Sequence, residues 1–102
     1  MSGGGSWRAA ATVASSAACV DGHFPGNPIV PGAVLLAHAS EALSARGFRI
    51  TAMQRVKFLS ALAPDTPFEM VVDTTRSPAR LRWLAGERVL GEAVLTLEPA
   101  DG

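Results

Sequence analysis

One ten-residue segment of this 102-residue chain combines a histidine with a stiff backbone. It extends from His23 to Gly32 and reads His-Phe-Pro-Gly-Asn-Pro-Ile-Val-Pro-Gly, with three prolines and two glycines. Proline fixes φ, and glycine permits close backbone approaches that side chains forbid. Such a loop can hold the imidazole of His23 at a set place.

The segment leads directly into a predicted helix. The alanine-rich run begins near residues 31–33 and has high helix propensity, and Gly47 after Arg46 is typical of a helix end. The first backbone amides of a helix lie at its positive end, where they favour developing negative charge. A histidine loop followed by a helix N-terminus therefore predicts a site for a polarised carbonyl.

The predicted helix has two distinct faces. Its apolar stripe is expected to face the core and consists of Leu35, Leu36, Ala39, Ala42 and Leu43. A second face carries Val34, Ala37, His38 and Glu41 at the spacings that bring helical side chains together. This second face holds the titratable groups that follow the histidine loop.

Strand-type patterns account for most of the remaining chain. Strands are predicted at residues 7–14, 48–59, 68–75, 80–84 and 88–97, with a loop at residues 15–31. Residues 48–59 are mixed enough that both faces are expected to meet protein, and Gly91 indicates a bulge or a close approach. The order predicts an α+β fold, a long antiparallel meander over one buried helix.

Composition narrows the class of protein. Nine basic and nine acidic residues cancel, which argues against nonspecific nucleic-acid binding. The single Cys19 excludes an intrachain disulfide, and two histidines with one cysteine make a poor metal set, so no metal or cofactor is expected. The hydrophobic content of 48% suggests an apolar surface that a second copy covers.

Residues 1–6 are predicted to be a flexible leader, and residues 7–102 a single domain. The stretch that ends at Cys19 only loosely matches a signal peptide, and nothing reaches the length of a membrane span. A cytoplasmic location is therefore expected.

The histidine segment resembles the His-Phe-x-Gly-x-Pro-x-x-Pro-Gly signature of the hotdog-fold 3-hydroxyacyl-acyl-carrier-protein dehydratases. Arg55-Val56-Lys57-Phe58 followed by Pro64-Asp65 is similar to a second recurring stretch of that family. The resemblance extends from about Asp21 to Leu97. It implies a hotdog fold, an antiparallel sheet wrapped around one central helix.

The resemblance also implies roles for individual residues. His23 would remove the α-proton of a 3-hydroxyacyl thioester, and the Gly32 amide would donate to the thioester carbonyl. The acyl chain would lie in a tunnel at the interface of a homodimer or higher homo-oligomer. The substrate-binding residues would be Phe24, Pro31, Val34, Ala37 and Phe58. The thioester would be carried by acyl carrier protein or coenzyme A, in fatty-acid or polyketide type metabolism.

This chain departs from the family at the acid that protonates the leaving hydroxyl. Fourteen residues after His23 the family has Glu or Asp, and this chain has Ala37. His38 is adjacent, and Glu41 lies one helical turn further on. Three interpretations follow. In the first, His38 or Glu41 replaces the missing acid and the protein is a dehydratase. In the second, the pocket binds acyl thioesters with little or no turnover, as a partner of an active homologue, and in the third, Glu41 activates water in a thioesterase.

A structural or interaction domain, whose dimer is its whole purpose, is the alternative outside these enzyme classes. It predicts that side chains fill the groove near His23. A separate expectation concerns the local basic excess at Arg46, Arg49, Arg55 and Lys57, which is either a solvated face or a dock for an acidic carrier protein or its pantetheine phosphate.

Overall fold

The computed structural model describes residues 5–14 and 29–100, and within them one helix packs against one five-stranded sheet. The elements are β1 (Ser6–Ala11), α1 (Gly32–Ala45), β2 (Phe48–Phe58), β3 (Phe68–Asp73), β4 (Ala79–Ala85) and β5 (Arg88–Pro99). The strand order is β1-β3-β4-β5-β2, and every neighbouring pair is antiparallel. This arrangement confirms the predicted hotdog fold.

The helix begins and ends where its sequence predicts. Pro31 is extended and precedes Gly32, and the backbone N–H of Arg46 donates to Leu43 O at the last turn. Gly47 has a φ of 87°, a conformation that glycine adopts without the steric cost of a Cβ. Leu35, Ala39 and Leu43 are buried at three- to four-residue spacing, so the apolar stripe does face the sheet.

Alternation along the strands gives the sheet one buried and one outer face. In β3 and β4 every second residue is buried, with polar or partly buried residues between them. The largest fully buried side chains include Trp83, Phe68 and five residues that pack around them, Leu43, Leu62, Leu81, Leu90 and Leu95. The core therefore lies between α1 and the inner face of the sheet.

The predicted meander is wrong for β2. This strand pairs with β5 and not with β3, so residues 59–67 cross from the β2 edge of the sheet to β3, which lies next to the opposite edge strand β1. The connection is fixed at two points: the N–H of Val30 donates to Leu62 O at 2.8 Å, and the N–H of Asp65 donates to Val13 O at 2.7 Å. The side chain of Leu62, whose carbonyl forms the first of these hydrogen bonds, is buried.

The expectation that both faces of residues 48–59 meet protein is also wrong within one chain. β2 is an edge strand, and most of its residues are exposed. Met53, Phe58 and the following Leu59 are exposed large hydrophobic side chains, at 42%, 43% and 57%. One long edge of the sheet is therefore open and partly apolar.

β1 forms the opposite edge and begins at Ser6, the last residue of the segment expected to be a leader. Just before β1, Gly5 O accepts hydrogen bonds from Thr74 N at 2.9 Å and Thr74 Oγ1 at 2.7 Å.

The division of the chain into a flexible leader and one domain stays a prediction. Across residues 5–14 and 29–100, no helix has both the length and the apolar character that crossing a bilayer requires.

Candidate functional site

The start of α1 is fixed by its neighbours. Val30 is buried and is hydrogen-bonded through its N–H to Leu62 O, and Pro31 then turns the chain into the helix. No side chain among the described residues caps this end, and the N–H of Val34 already donates to Pro31 O at 3.0 Å. The amide of Gly32 thus lies at the positive end of the helix, where it can donate to an oxyanion.

Phe58 covers the Cα of Gly32. A Cβ built on Gly32 would lie 2.6 Å from Cε2 of Phe58, closer than real carbon contacts allow. The Phe58 ring also lies 5.4 Å from the Trp83 ring, centroid to centroid. Glycine at position 32 therefore lets an aromatic wall pack directly on the first turn of the helix.

Trp83 links this end of the helix to the sheet. Its indole Nε1 donates to Leu35 O at 3.0 Å, and its side chain is completely buried. A Cβ on Gly91 would lie 3.3 Å from Trp83 Cε3 and 2.7 Å from Lys57 O, so β2 approaches β5 closely at Gly91. The close approach predicted at Gly91 is confirmed, whereas no sequence pattern predicted a role for Trp83 beyond that of a strand residue.

These two glycines make a matched pair of substitutions. We expect Gly91→Ala to lower the free energy of unfolding by about 1–3 kcal/mol, because the new methyl meets the backbone oxygen of Lys57. Gly32→Ala should cost less, since the half-exposed ring of Phe58 can swing away. Urea unfolding monitored by tryptophan fluorescence measures both, and a larger loss for Gly32→Ala would contradict the packing described.

The predicted site residues fall into three groups. His23 and Phe24 lie outside the described residues. Gly32, Pro31 and Phe58 are together at the start of α1. The remaining candidates follow along the helix: Val34 and His38 are half-buried, and Ala37 and Glu41 are exposed.

The two candidates for the acid have different surroundings. The imidazole of His38 packs edge-on against the Phe68 ring, with centroids 5.7 Å apart. Glu41 is exposed and lies about 6 Å along the helix axis from Ala37. Glu41 and Gly32 are separated by about 13 Å along the axis, too far to act on the same few atoms within one chain.

The four basic residues at positions 46–57 have different neighbours. Arg46 stacks over the Trp7 ring, with its guanidinium carbon 4.0 Å from the centroid. Arg49 forms an ion pair with Glu98 at 2.8 Å. Arg55 and Lys57 line a groove on the outer face of the sheet.

The family model of the ApeI-like dehydratases, described as ApeI dehydratase, matches residues 2–91. No curated protein sequence matches the chain. Among solved structures, an uncharacterised protein from Erwinia carotovora subsp. atroseptica is similar, with 19% identity and a TM-score of 0.71 over 97% of this chain and 87% of that one.

Two further structures share the fold. The dehydratase heterocomplex ApeI:P from Xenorhabdus doucetiae matches with 18% identity and a TM-score of 0.71, over 91% of this chain and 87% of that chain. A probable thioesterase from Bartonella henselae matches with 21% identity and a TM-score of 0.63, over 96% and 94%. These likenesses agree with the architecture, and the family match covers most of the sequence: the chain belongs to the ApeI-like dehydratase family.

Proposed function

We propose that this protein is a dehydratase of 3-hydroxyacyl thioesters carried by acyl carrier protein or coenzyme A. The observation that supports this most is the first turn of α1, which no described side chain caps, with Gly32 beneath Phe58 and directly after the segment that holds His23. Membership of a dehydratase family supports the same reaction.

The reaction needs a base, an oxyanion donor and an acid. In the proposed mechanism His23 removes the proton from the α-carbon, and the Gly32 amide stabilises the negative charge that develops on the thioester oxygen. The electron pair then forms the α,β double bond as the β-hydroxyl leaves. The acid donates its proton to that hydroxyl, and one water is released.

Glu41 is the side chain that we propose as the acid. Ala37 carries no proton to donate, and the edge contact with Phe68 constrains the imidazole of His38. Glu41 is exposed and can extend back along the helix toward Ala37. Because it is about 13 Å along the axis from Gly32, it serves a site completed by a second copy of the chain.

We expect Glu41→Gln to lower kcat for dehydration by about 10²-fold or more, because the amide has the same shape but cannot act as an acid. His38→Gln is the matched comparison on the same helix, and its main expected effect is a lower free energy of unfolding. A steady-state assay of both purified variants decides between the two side chains. A larger loss of kcat in His38→Gln would assign the acid to His38.

The open edge of β2 is the surface that we propose for the homodimer. An edge strand has unpaired backbone donors and acceptors, and Met53, Phe58 and Leu59 add exposed apolar area to this one. Pairing of two β2 strands would cover that area. Phe58 also covers Gly32, so the same surface adjoins the start of α1, where the acyl chain is proposed to lie beside Phe24, Pro31, Val34 and Ala37.

Met53→Glu should dissociate this dimer, because it places a carboxylate on the edge that must be desolvated. Ala10→Glu is the control on the opposite edge strand, where the residue is also exposed. Sedimentation velocity of the wild type and the two variants gives the test. Dissociation by Ala10→Glu and not by Met53→Glu would move the interface to β1.

One assay distinguishes the proposed function from its alternatives. The wild type is incubated with a 3-hydroxyacyl-acyl-carrier-protein and with the coenzyme A thioester, and the enoyl product and free thiol are measured separately. Enoyl product supports the dehydratase. Free thiol without enoyl product would show a thioesterase, the activity named for the similar Bartonella protein.

A non-catalytic, acyl-thioester-binding subunit is the second candidate, and Ala37 at the acid position favours it. The Xenorhabdus relative is named as part of a heterocomplex, which supports a role beside an active homologue. Absence of both products at high protein concentration, together with binding of a non-hydrolysable acyl thioester, would establish this function and exclude the dehydratase. A structural dimer would bind none of these ligands.

A further inference from the structure

A groove of about 490 Å³ crosses the outer face of the sheet, opposite the face that packs on α1. All five strands contribute to it. The charged residues that line it are Arg55, Lys57, Asp73, Arg76, Arg80, Arg82 and Glu92. The volume is within the range of cavities that hold small ligands.

Positive charge is concentrated in this groove. Among the described residues, five of the nine basic residues of the chain line it, against two carboxylates. This described lining has a formal net charge of +3 on a chain with a net charge of zero. The cations Arg8 and Arg49 lie elsewhere and are neutralised by ion pairs with Glu69 and Glu98. Such an excess at one concave surface favours an anion.

The strand register creates the cluster. Arg80 and Arg82 are two residues apart in β4 and therefore lie on the same face. Arg82 is opposite Glu92 of β5, and Glu92 is in turn opposite Lys57 of β2. Cationic residues thus lie on both sides of β5.

A bulge in β2 adds a further cation. Gln54 is opposite Val94, but the next matched pair is Lys57 with Glu92, so one extra residue is inserted on β2. Arg55 within this bulge has a φ of +53°, in the left-handed region that is costly for a residue with a Cβ. Arg55 and Lys57 both line the groove.

In the described part of the chain, neither Asp73 nor Glu92 forms a salt bridge with a cation of the groove. Asp73 instead accepts hydrogen bonds from the side chain and the backbone N–H of Thr75. These bonds, together with the nearby charges of Arg76 and Arg80, lower the pKa of Asp73. Its carboxylate therefore stays ionised and bound to the turn at Thr75.

We propose that this groove binds a small ligand through a diphosphate or longer polyphosphate group. Four of the five cations are arginines, whose planar guanidinium groups match phosphate oxygens in pairs. The cations of β4 and β2 are separated by β5, about 10 Å apart, which suits a chain of phosphates better than a single one. Among the described residues no aromatic side chain lines the groove, so the proposed recognition is through the phosphates of the ligand and not through a stacked base.

Isothermal titration calorimetry of the full chain with inorganic phosphate, pyrophosphate and triphosphate tests the site. We expect triphosphate to bind at least tenfold more tightly than phosphate, with affinity falling as salt rises. Arg82→Gln and Arg55→Asn should each weaken triphosphate binding about three- to tenfold. Asparagine is used at position 55 because it tolerates a positive φ.

Arg88→Gln is the matched control, since Arg88 is exposed at the start of β5 and does not line the groove. It should leave the affinity unchanged, and circular dichroism should show that all variants are folded. Equal weakening in the control, or no triphosphate binding at millimolar concentration, would overturn the proposal. Tighter binding of a polyglutamate peptide than of triphosphate, sensitive to Arg82→Gln, would assign the groove to an acidic protein instead.

Discussion

Trp83→Ala is expected to lower the free energy of unfolding by about 3–5 kcal/mol, the range for removal of a large buried aromatic side chain. Trp83 has no exposed surface, its Nε1 donates to Leu35 O, and its ring packs against Phe58. The substitution leaves a cavity between the sheet and the first turn of α1. Equilibrium urea unfolding followed by far-UV circular dichroism measures the loss.

Two conservative variants separate packing from hydrogen bonding. Trp83→Phe keeps most of the ring but removes the donor to Leu35 O, so we expect a smaller loss than for alanine. Trp7→Phe is the comparison, because the buried Nε1 of Trp7 has no hydrogen-bond partner among the described residues. Removal of this N–H group should change the free energy of unfolding little or not at all. A loss below about 1 kcal/mol for Trp83→Ala would be incompatible with a core position.

His23→Ala is expected to lower kcat/KM for dehydration by about 10²–10⁴-fold, the usual contribution of a positioned general base. A base must be unprotonated to accept the α-proton, and the acid must be protonated, so we expect a bell-shaped wild-type pH profile whose rising limb depends on His23. The variant should lack that rising limb. Initial rates from pH 5 to 9 with one 3-hydroxyacyl thioester measure both effects.

His23→Gln is the control for size and polarity, since its side chain is polar but cannot transfer a proton at neutral pH. It should be as inactive as the alanine variant and should retain the wild-type circular dichroism spectrum. Retention of half the wild-type rate in either variant would remove His23 from the proposed mechanism. A loss of rate with an unchanged pH profile would give His23 a role in positioning.

The sequence predicted the helix almost to the residue, because Pro31, Gly47 and the apolar stripe act locally. It predicted the strands from their alternation for the same reason. The pairing of β2 with β5 was not predicted, because strand order depends on contacts between residues far apart in sequence. The exposed edge of β2 follows from that pairing.

The site was predicted in part. The start of α1 at Gly32 follows from the glycine and proline pattern, but the packing of Phe58 on Gly32 depends on where β2 lies in space. The partners of Arg46 and Arg49, which are Trp7 and Glu98, could not be predicted, because they lie far from these arginines in sequence. The outer groove draws on residues 6 to 94, and no local pattern in the sequence gathers them.

The pairing of β2 with β5 has a consequence for synthesis of the protein. β2 ends at Phe58, and its partner is complete only at Pro99. At a ribosomal rate of roughly 5–20 residues per second, synthesis of the residues between Phe58 and Pro99 takes several seconds. During this time both of its backbone edges are unsatisfied, so the nascent chain exposes a strand that can associate with other unfinished chains.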